Sequence, residues 1–267
     1  MIRKWCIPLT TLALVFGSML AAGSASAATM AQHPGASHFT PGGLMVRPAG
    51  HQAGSTKGHL NEDESTNWSG YAVTGANGAF HSVSASWVEP TGTCTSRSAS
   101  YSSFWVGLDG FNSDSVEQTG TDVDCNGRTP VYYGWYEMFP ADPVNYTNTV
   151  RPGDHFSASV TFTGTETYTL VLTDSTQGWT HTTVKNETGL DRSSAEVITE
   201  APSSESGVLP LADFGTVNYS TSSANGTSLG TQSPTEIIMV DNSGRDKDST
   251  SAISSGGAFS NTWLRSS

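Results

Sequence analysis

From Asn67 to its end the chain is written in a two-residue period. Val83, Ala85 and Trp87 alternate with serines, and Phe156, Ala158, Val160 and Phe162 alternate with His, Ser and Thr. Tyr168 to Leu172 and Ile237 to Val240 are short apolar runs rich in β-branched residues. Side chains along a strand point to opposite faces in turn, so this pattern predicts half-buried strands. Turn residues separate the runs: Asn77-Gly78, Asn126-Gly127, Pro152-Gly153-Asp154, Asn225-Gly226 and Ser243-Gly244. No segment carries an apolar stripe at helical spacing with caps. Many short strands in about 200 residues bury a core as a sandwich or a barrel. Trp263 is expected to close the last strand.

The first 62 residues break the pattern. Arg3 and Lys4 precede an apolar stretch from Ile7 to Ala22, and Ala25-Ser26-Ala27 supplies a small-residue cleavage site. That order predicts a secretory signal peptide over residues 1–27 and an exported, extracellular protein. The apolar run is interrupted by Pro8, Gly17 and Ser18 and is short for a membrane span. Residues 28–62 form a leader. Between Ala28 and Leu60 it holds His33, His38, His51 and His59, with Arg47 and Lys57 and no acid. All 24 acids lie from Glu62 onward, against eight Lys and Arg, so that part carries 8 − 24 = −16. A basic, His-rich leader before an acidic body predicts a pro-segment held to the body by electrostatics, as its inhibitor; a disordered linker is the alternative. The acidity of the body, residues 63–267, excludes nucleic acid as partner. It suits work in acid, where carboxylates lose charge and self-repulsion relaxes. Cys6 leaves with the signal peptide. Cys94 and Cys125 remain as an even pair, read as a disulfide in an exported chain, with two free thiols as the alternative.

Searches for common catalytic patterns exclude most chemistries. There is no His-Glu-x-x-His, paired Cys-x-x-Cys, P-loop, Gly-x-Ser-x-Gly or pair of Asp-Thr/Ser-Gly motifs. The body keeps only His81, His155 and His181, none at metal-ligand spacing, so neither a metal, a cofactor nor a Ser-His-Asp triad is expected. What stands out is a polar-aromatic stretch: Phe104-Trp105-Val106-Gly107-Leu108-Asp109-Gly110, then Glu117-Gln118-Thr119-Gly120-Thr121-Asp122, then Trp135-Tyr136-Glu137-Met138-Phe139. One face of such strands could line a groove with Trp and carboxylates; core aromatics backed by solvated acids is the competing reading. A second cluster is Ala195-Glu196-Val197-Ile198-Thr199-Glu200, which puts Glu196, Ile198 and Glu200 on one face of a strand.

These segments, with Asn67-Trp68-Ser69-Gly70-Tyr71 and Ala212-Asp213-Phe214-Gly215, resemble the glutamic endopeptidases, or eqolisins. The resemblance runs from Asn67 to the C-terminal strand. It implies an all-β, antiparallel sandwich of two large sheets, concanavalin A-like, and metal-independent acid endopeptidase activity on proteins or peptides. It places the catalytic pair on Gln118 and Glu200, and substrate-cleft positions on Trp105, Asp109 and Glu137. Two positions depart from the family pattern: Val197 stands where Trp is usual, and Met138-Phe139 where an aromatic pair is usual. The chemistry suits the residue types. A glutamate can take a proton from water and return it to the leaving amine, and a glutamine offers NH2 donors to a developing oxyanion. A glycoside hydrolase using Glu137 and Glu200, or a carbohydrate-binding sandwich stacking sugars on Trp105 and Trp135, are the rival readings. A monomer is expected.

Overall fold

The alternation in the sequence is an alternation of burial. In Ser82–Val88 the side chains of Val83, Ala85 and Trp87 are buried, and the serines between them are half-buried. In Thr167–Asp174 the same rule buries Tyr168, Leu170 and Leu172. The computed structural model describes Phe39 and Thr40 by their backbone, Gly43, Met45 and Val46, and every residue from Asn61 to Ser267. The signal peptide and most of the leader lie outside the described residues.

Eight strands form the sheet that carries the site, in the order β2 (Glu62–Ser65), β17 (Thr235–Met239), β3 (Trp68–Thr74), β12 (Ser194–Glu200), β5 (Ser103–Leu108), β6 (Val116–Asn126), β7 (Thr129–Phe139) and β8 (Val144–Asn145). The other large sheet runs β11 (Trp179–Asn186), β10 (Thr167–Asp174), β9 (His155–Phe162), β4 (Ser82–Val88), β15 (Thr216–Ala224), β19 (Phe259–Trp263) and β18 (Asp248–Thr250), with β16 (Thr227–Ser228) paired to β15. A small third sheet joins β1 (Phe39–Thr40) to the hairpin β13 (Ser203–Ser204) and β14 (Gly207–Val208). Pairing within the large sheets is antiparallel except for β2 on β17. Among the described residues the only helix is the 3-10 turn Leu229–Thr231. The expected turns are present, with positive φ at Gly78, Gly127, Gly153, Asn225, Gly226 and Gly244, and Trp263 ends β19.

The two large sheets stack through one apolar layer. Trp87 lies between Phe156 and Tyr219, with centroids at 5.9 and 6.1 Å, and Phe104 meets Phe214 edge-on at 5.4 Å. Taking each such side chain out of water is worth about 1.5–3 kcal/mol. The site sheet differs from a simple sandwich layer, because its far face is dry as well. Trp68, Ala72, Trp105, Trp135, Ile198 and Ile237 form a second buried cluster there, against which Met45, Tyr133 and Phe139 pack. Cys94 and Cys125 are joined, closing a loop of 31 residues onto the end of β6. On the chain-entropy account a bridge of this span contributes about 3 kcal/mol. Denatured, unreduced protein should therefore show no free thiol from this pair, and Cys94→Ser with Cys125→Ser should lower the denaturation midpoint. Two titratable thiols would refute the bridge.

Candidate active site

Strand register arranges the dry face of the site sheet as three rows. Trp68, Glu200, Ser103, Asp122 and Tyr133 lie side by side on β3, β12, β5, β6 and β7. Two residues along come Gly70, Ile198, Trp105, Gly120 and Trp135, and two further along Ala72, Glu196, Gly107, Gln118 and Glu137. Rows of acids and amides thus flank a row of tryptophan and glycine. Gly107 is required by close approach: a Cβ there would stand 2.8 Å from the Trp105 ring and 3.3 Å from Gln118 Cβ. The indole of Trp105 therefore overlies Gly107 beside Gln118, and its Nε1 donates to Glu200 Oε2 at 2.9 Å. One ring spans the interval between Gln118 and Glu200, which are two strands apart and offset by two side-chain steps.

Most acids on this face have a donor of their own. Glu200 Oε1 accepts from Asn67 Nδ2 at 3.3 Å. Glu137 Oε2 accepts from Gln118 Nε2 at 2.7 Å. Asp122 Oδ1 accepts from Trp135 Nε1 at 2.5 Å. The Tyr133 hydroxyl lies 3.0 Å from Asp122 Oδ2 and 2.7 Å from Asp124 Oδ2. It has a single proton to give, so the second contact is satisfied when one of the two carboxyls is protonated. Glu196 has neither oxygen in a hydrogen bond of good geometry and is fully buried.

Burial sets the protonation of this face. It pushes Glu200 well above the usual carboxylate range, with the Trp105 and Asn67 donors opposing and the charges of Glu137 and Asp122 adding to the rise. Burial lifts Glu137 to about 9, against the Gln118 hydrogen bond. It lifts Asp122 to about 7, and Asp124 and Glu196 well upward. Taking a charge out of water disfavours the charged form, and among the described residues no cation stands beside these acids to reverse it.

Four of the five residues singled out for catalysis and the cleft, Trp105, Gln118, Glu137 and Glu200, meet on this face. Asp109 does not join them. It follows β5 with φ 70°, and its carboxylate accepts from the backbone N–H of Arg192 at 2.6 Å and of Ser193 at 2.8 Å. Asn67, Asp122, Asp124 and Tyr133 belong to the face and were not singled out as site residues. Asn67 also reads as a glycosylation sequon with Ser69, but it is fully buried, whereas Asn218 is exposed. His155 is exposed, and His181 stacks on Tyr146 at 4.1 Å, far in the fold from these acids.

The leader reaches this face. Trp68 Nε1 donates to the Gly43 carbonyl at 3.0 Å, and the Val46 carbonyl accepts from the Thr66 N–H and hydroxyl, each at 2.7 Å. The Val46 N–H donates to Asn67 Oδ1 at 2.6 Å. No helix among the described residues is long and apolar enough to cross a membrane.

Comparison with known proteins points in one direction. The peptidase A4 family matches residues 66–263. Aspergillopepsin-2 of Aspergillus niger is 28% identical over 208 residues, 69% of this chain and 72% of its own. The crystal structure of scytalido-glutamic peptidase with a transition state analog inhibitor superposes with a TM-score of 0.64 at 26% identity, covering 74% of this chain and 98% of that one. SCP-B, a member of the eqolisin family in complex with the tripeptide Ala-Ile-His, gives 0.60 at 27% identity, covering 74% and 98%.

The raised carboxyls fix the sign of a stability trend. A carboxyl whose pKa is higher folded than unfolded opposes folding above its unfolded pKa, near 4, and the penalty grows until the folded pKa is passed. For Asp122 and Glu137 that window runs from about 4 to about 7 and about 9. The protein should melt highest near pH 4 and at falling temperature from pH 4 to 8. Circular dichroism melts at each pH provide the measurement. A melting temperature that rises over this range would contradict the assignment.

Proposed function

This chain belongs to the peptidase A4 family, the eqolisin glutamic peptidases, and from that premise we propose that Gln118 and Glu200 are its catalytic pair, hydrolysing proteins or peptides in acid outside the cell. The observation that carries the reading is the Trp105 indole, which holds Glu200 at one edge and lies beside Gln118 at the other. Glu200 takes a proton from water as the water oxygen bonds to the scissile carbonyl carbon. The negative charge that develops on the carbonyl oxygen is met by Gln118. Its NH2 donates to Glu137 Oε2 and is the group that meets the oxyanion. Glu200 then returns its proton to the amide nitrogen as the C–N bond breaks. Trp105 and Glu137 serve the cleft by holding the pair, and Asp109 serves it through the Arg192–Ser193 segment. Glu196 stands directly in row with Gln118, yet Glu200 is the better base. Only Glu200 has two donors, from Trp105 and Asn67, that favour the ionised form once water enters. Family membership leaves the glycoside hydrolase and carbohydrate-binding readings without support.

The leader, residues 28–62, acts in this reading as the enzyme's own inhibitor. Support comes from Gly43, Met45 and Val46 lying on the site face, and from β1 pairing with β13 just after Glu200. While these residues cover the face, Glu200 stays dry and neutral. Export is supported by the signal-peptide pattern over residues 1–27 and by the disulfide.

Glu200→Gln should lower kcat by about 10²–10⁴, and Gln118→Ala by about 10²–10³, with folding retained. Glu196→Gln should keep most activity. If instead Glu196→Gln is inactive and Glu200→Gln works, the base has been placed on the wrong carboxylate. Acidification provides a second check. A chain expressed from Ala28 should shorten by about 35 residues through cleavage near Asn61, the exposed residue before the buried strand β2, while its Glu200→Ala form stays full length. Equal shortening of both in a pure preparation would remove self-processing.

A further inference from the structure

Asn67 grips the end of β12 in two ways. Its backbone carbonyl accepts from the Ala201 N–H at 2.8 Å, fixing the residue after Glu200. Its side-chain NH2 donates to Glu200 Oε1 at 3.3 Å. The orientation of that amide is set by its partners. The Val46 N–H lies 2.6 Å from Oδ1, and the Ser65 hydroxyl 3.0 Å from it. The Val46 N–H can only donate, so it demands an oxygen there and turns the NH2 toward Glu200; the one Ser65 proton is shared between Oδ1 and the Val46 carbonyl, 3.2 Å away. Ser65 in turn accepts from the backbone N–H of Asn67 and Trp68 at 3.3 and 3.0 Å, so the turn between β2 and β3 is locked from within the enzyme body. The side chain is fully buried, so water does not compete for these bonds.

We infer that Asn67 is a positioning residue for Glu200 and is also the point through which the leader grips the catalytic carboxylate. The inference rests on the assignment of Glu200 as the base and adds how that base is held and reached. In the processed enzyme Ser65 remains beside Oδ1, and the NH2 still faces Glu200. It fixes the carboxylate for attack and favours its charged form against the charges of Glu137 on β7 and Asp122 on β6. In the unprocessed chain Val46 joins Ser65 on Oδ1. Val46 is then linked to the carboxylate through this one amide. The Val46 bonds are made by its backbone, so its side chain is not what is read.

The test uses the chain with its leader, before and after acid processing, with Asn67→Asp and Asn67→Ala. Asn67→Asp keeps the size and an oxygen for Val46 but loses the NH2. Both variants should lower kcat of the processed enzyme by about 10–100-fold, with KM changed by less than about two-fold. The acid-side loss of activity should move to higher pH, because a base that loses a donor to its charged form ionises later. In the unprocessed chain near neutral pH, amide hydrogen exchange at Val46 should be slow in wild type and Asn67→Asp, and fast in Asn67→Ala. An Asn67→Asp enzyme with unchanged kcat and pH profile overturns the positioning role. Equal protection of Val46 in wild type and Asn67→Ala overturns the grip. Glu200→Gln, measured alongside, separates the two levels. If it is active, the catalytic pair itself is wrong; if it is inactive while Asn67→Asp is unaffected, only this inference falls.

Discussion

Burial of carboxyl groups on a sheet face that a two-layer sandwich would leave wet is the constraint from which the rest of the molecule follows. Glu137, Glu196, Glu200 and Asp122 are all fully buried on the far face of the site sheet. A buried carboxylate without a cation is costly, and the cost is avoided in two ways: protonation, or donors aimed at the charged form. Both are present. Tyr133 between Asp122 and Asp124 fits a pair that shares a proton. Glu200 likewise receives an indole and an amide N–H. The same physics makes the face comfortable in acid and gives Glu200 donors that favour its charged form.

Period-two patterning made the outer sheet legible because its strands have one wet face. Ser, Thr and His alternating with Val, Ala and Phe in β4 and β9 encode which side is dry. It failed as a burial code in β5, β6 and β12, where both faces are dry and almost every side chain is buried. There the residues could be assigned to faces, since Glu196, Ile198 and Glu200 do share one, but not to solvent or core. Asp109 shows the limit of the parity rule. It has the parity of Trp105 and Gly107, yet a left-handed backbone follows the strand end and directs its carboxylate to the Arg192–Ser193 backbone. Gly110 next to it cannot carry a Cβ, which would come 2.9 Å from the Trp68 ring, so the turn is closed tightly against the site.

Residues with no chemical signature of their own were the hardest to see. Asn67 stands in a turn, and its partner Glu200 is 133 positions away, so no local pattern joins them. Asp122 looks like one of many acids until the register sets it beside Ser103 and Glu200. The leader was read through its charge, from Arg47, Lys57 and four histidines. The contacts seen at the site are of another kind: the carbonyls of Gly43 and Val46, the Val46 N–H, and the apolar side chain of Met45. Backbone groups and a methionine do not titrate. If the leader is released in acid as proposed, the change therefore lies in the groups around these contacts.

This bears on why the partner of Glu200 is an amide. The face already holds Glu137, Glu196, Asp122 and Asp124, and the charges of Glu137 and Asp122 push Glu200 upward. A further carboxyl at position 118 would either ionise and raise Glu200 again, or take up a proton and share it with Glu137, 2.7 Å away. Glutamine has no charge at any pH. In the proposed mechanism it presents donors to an oxyanion without adding to the repulsion around Glu200, and it gives Glu137 a hydrogen bond where another acid would compete with it for a proton. On that reading, where acids crowd one dry face, a neutral donor lets Glu200 change its charge during the reaction without a second carboxyl in position 118 doing so.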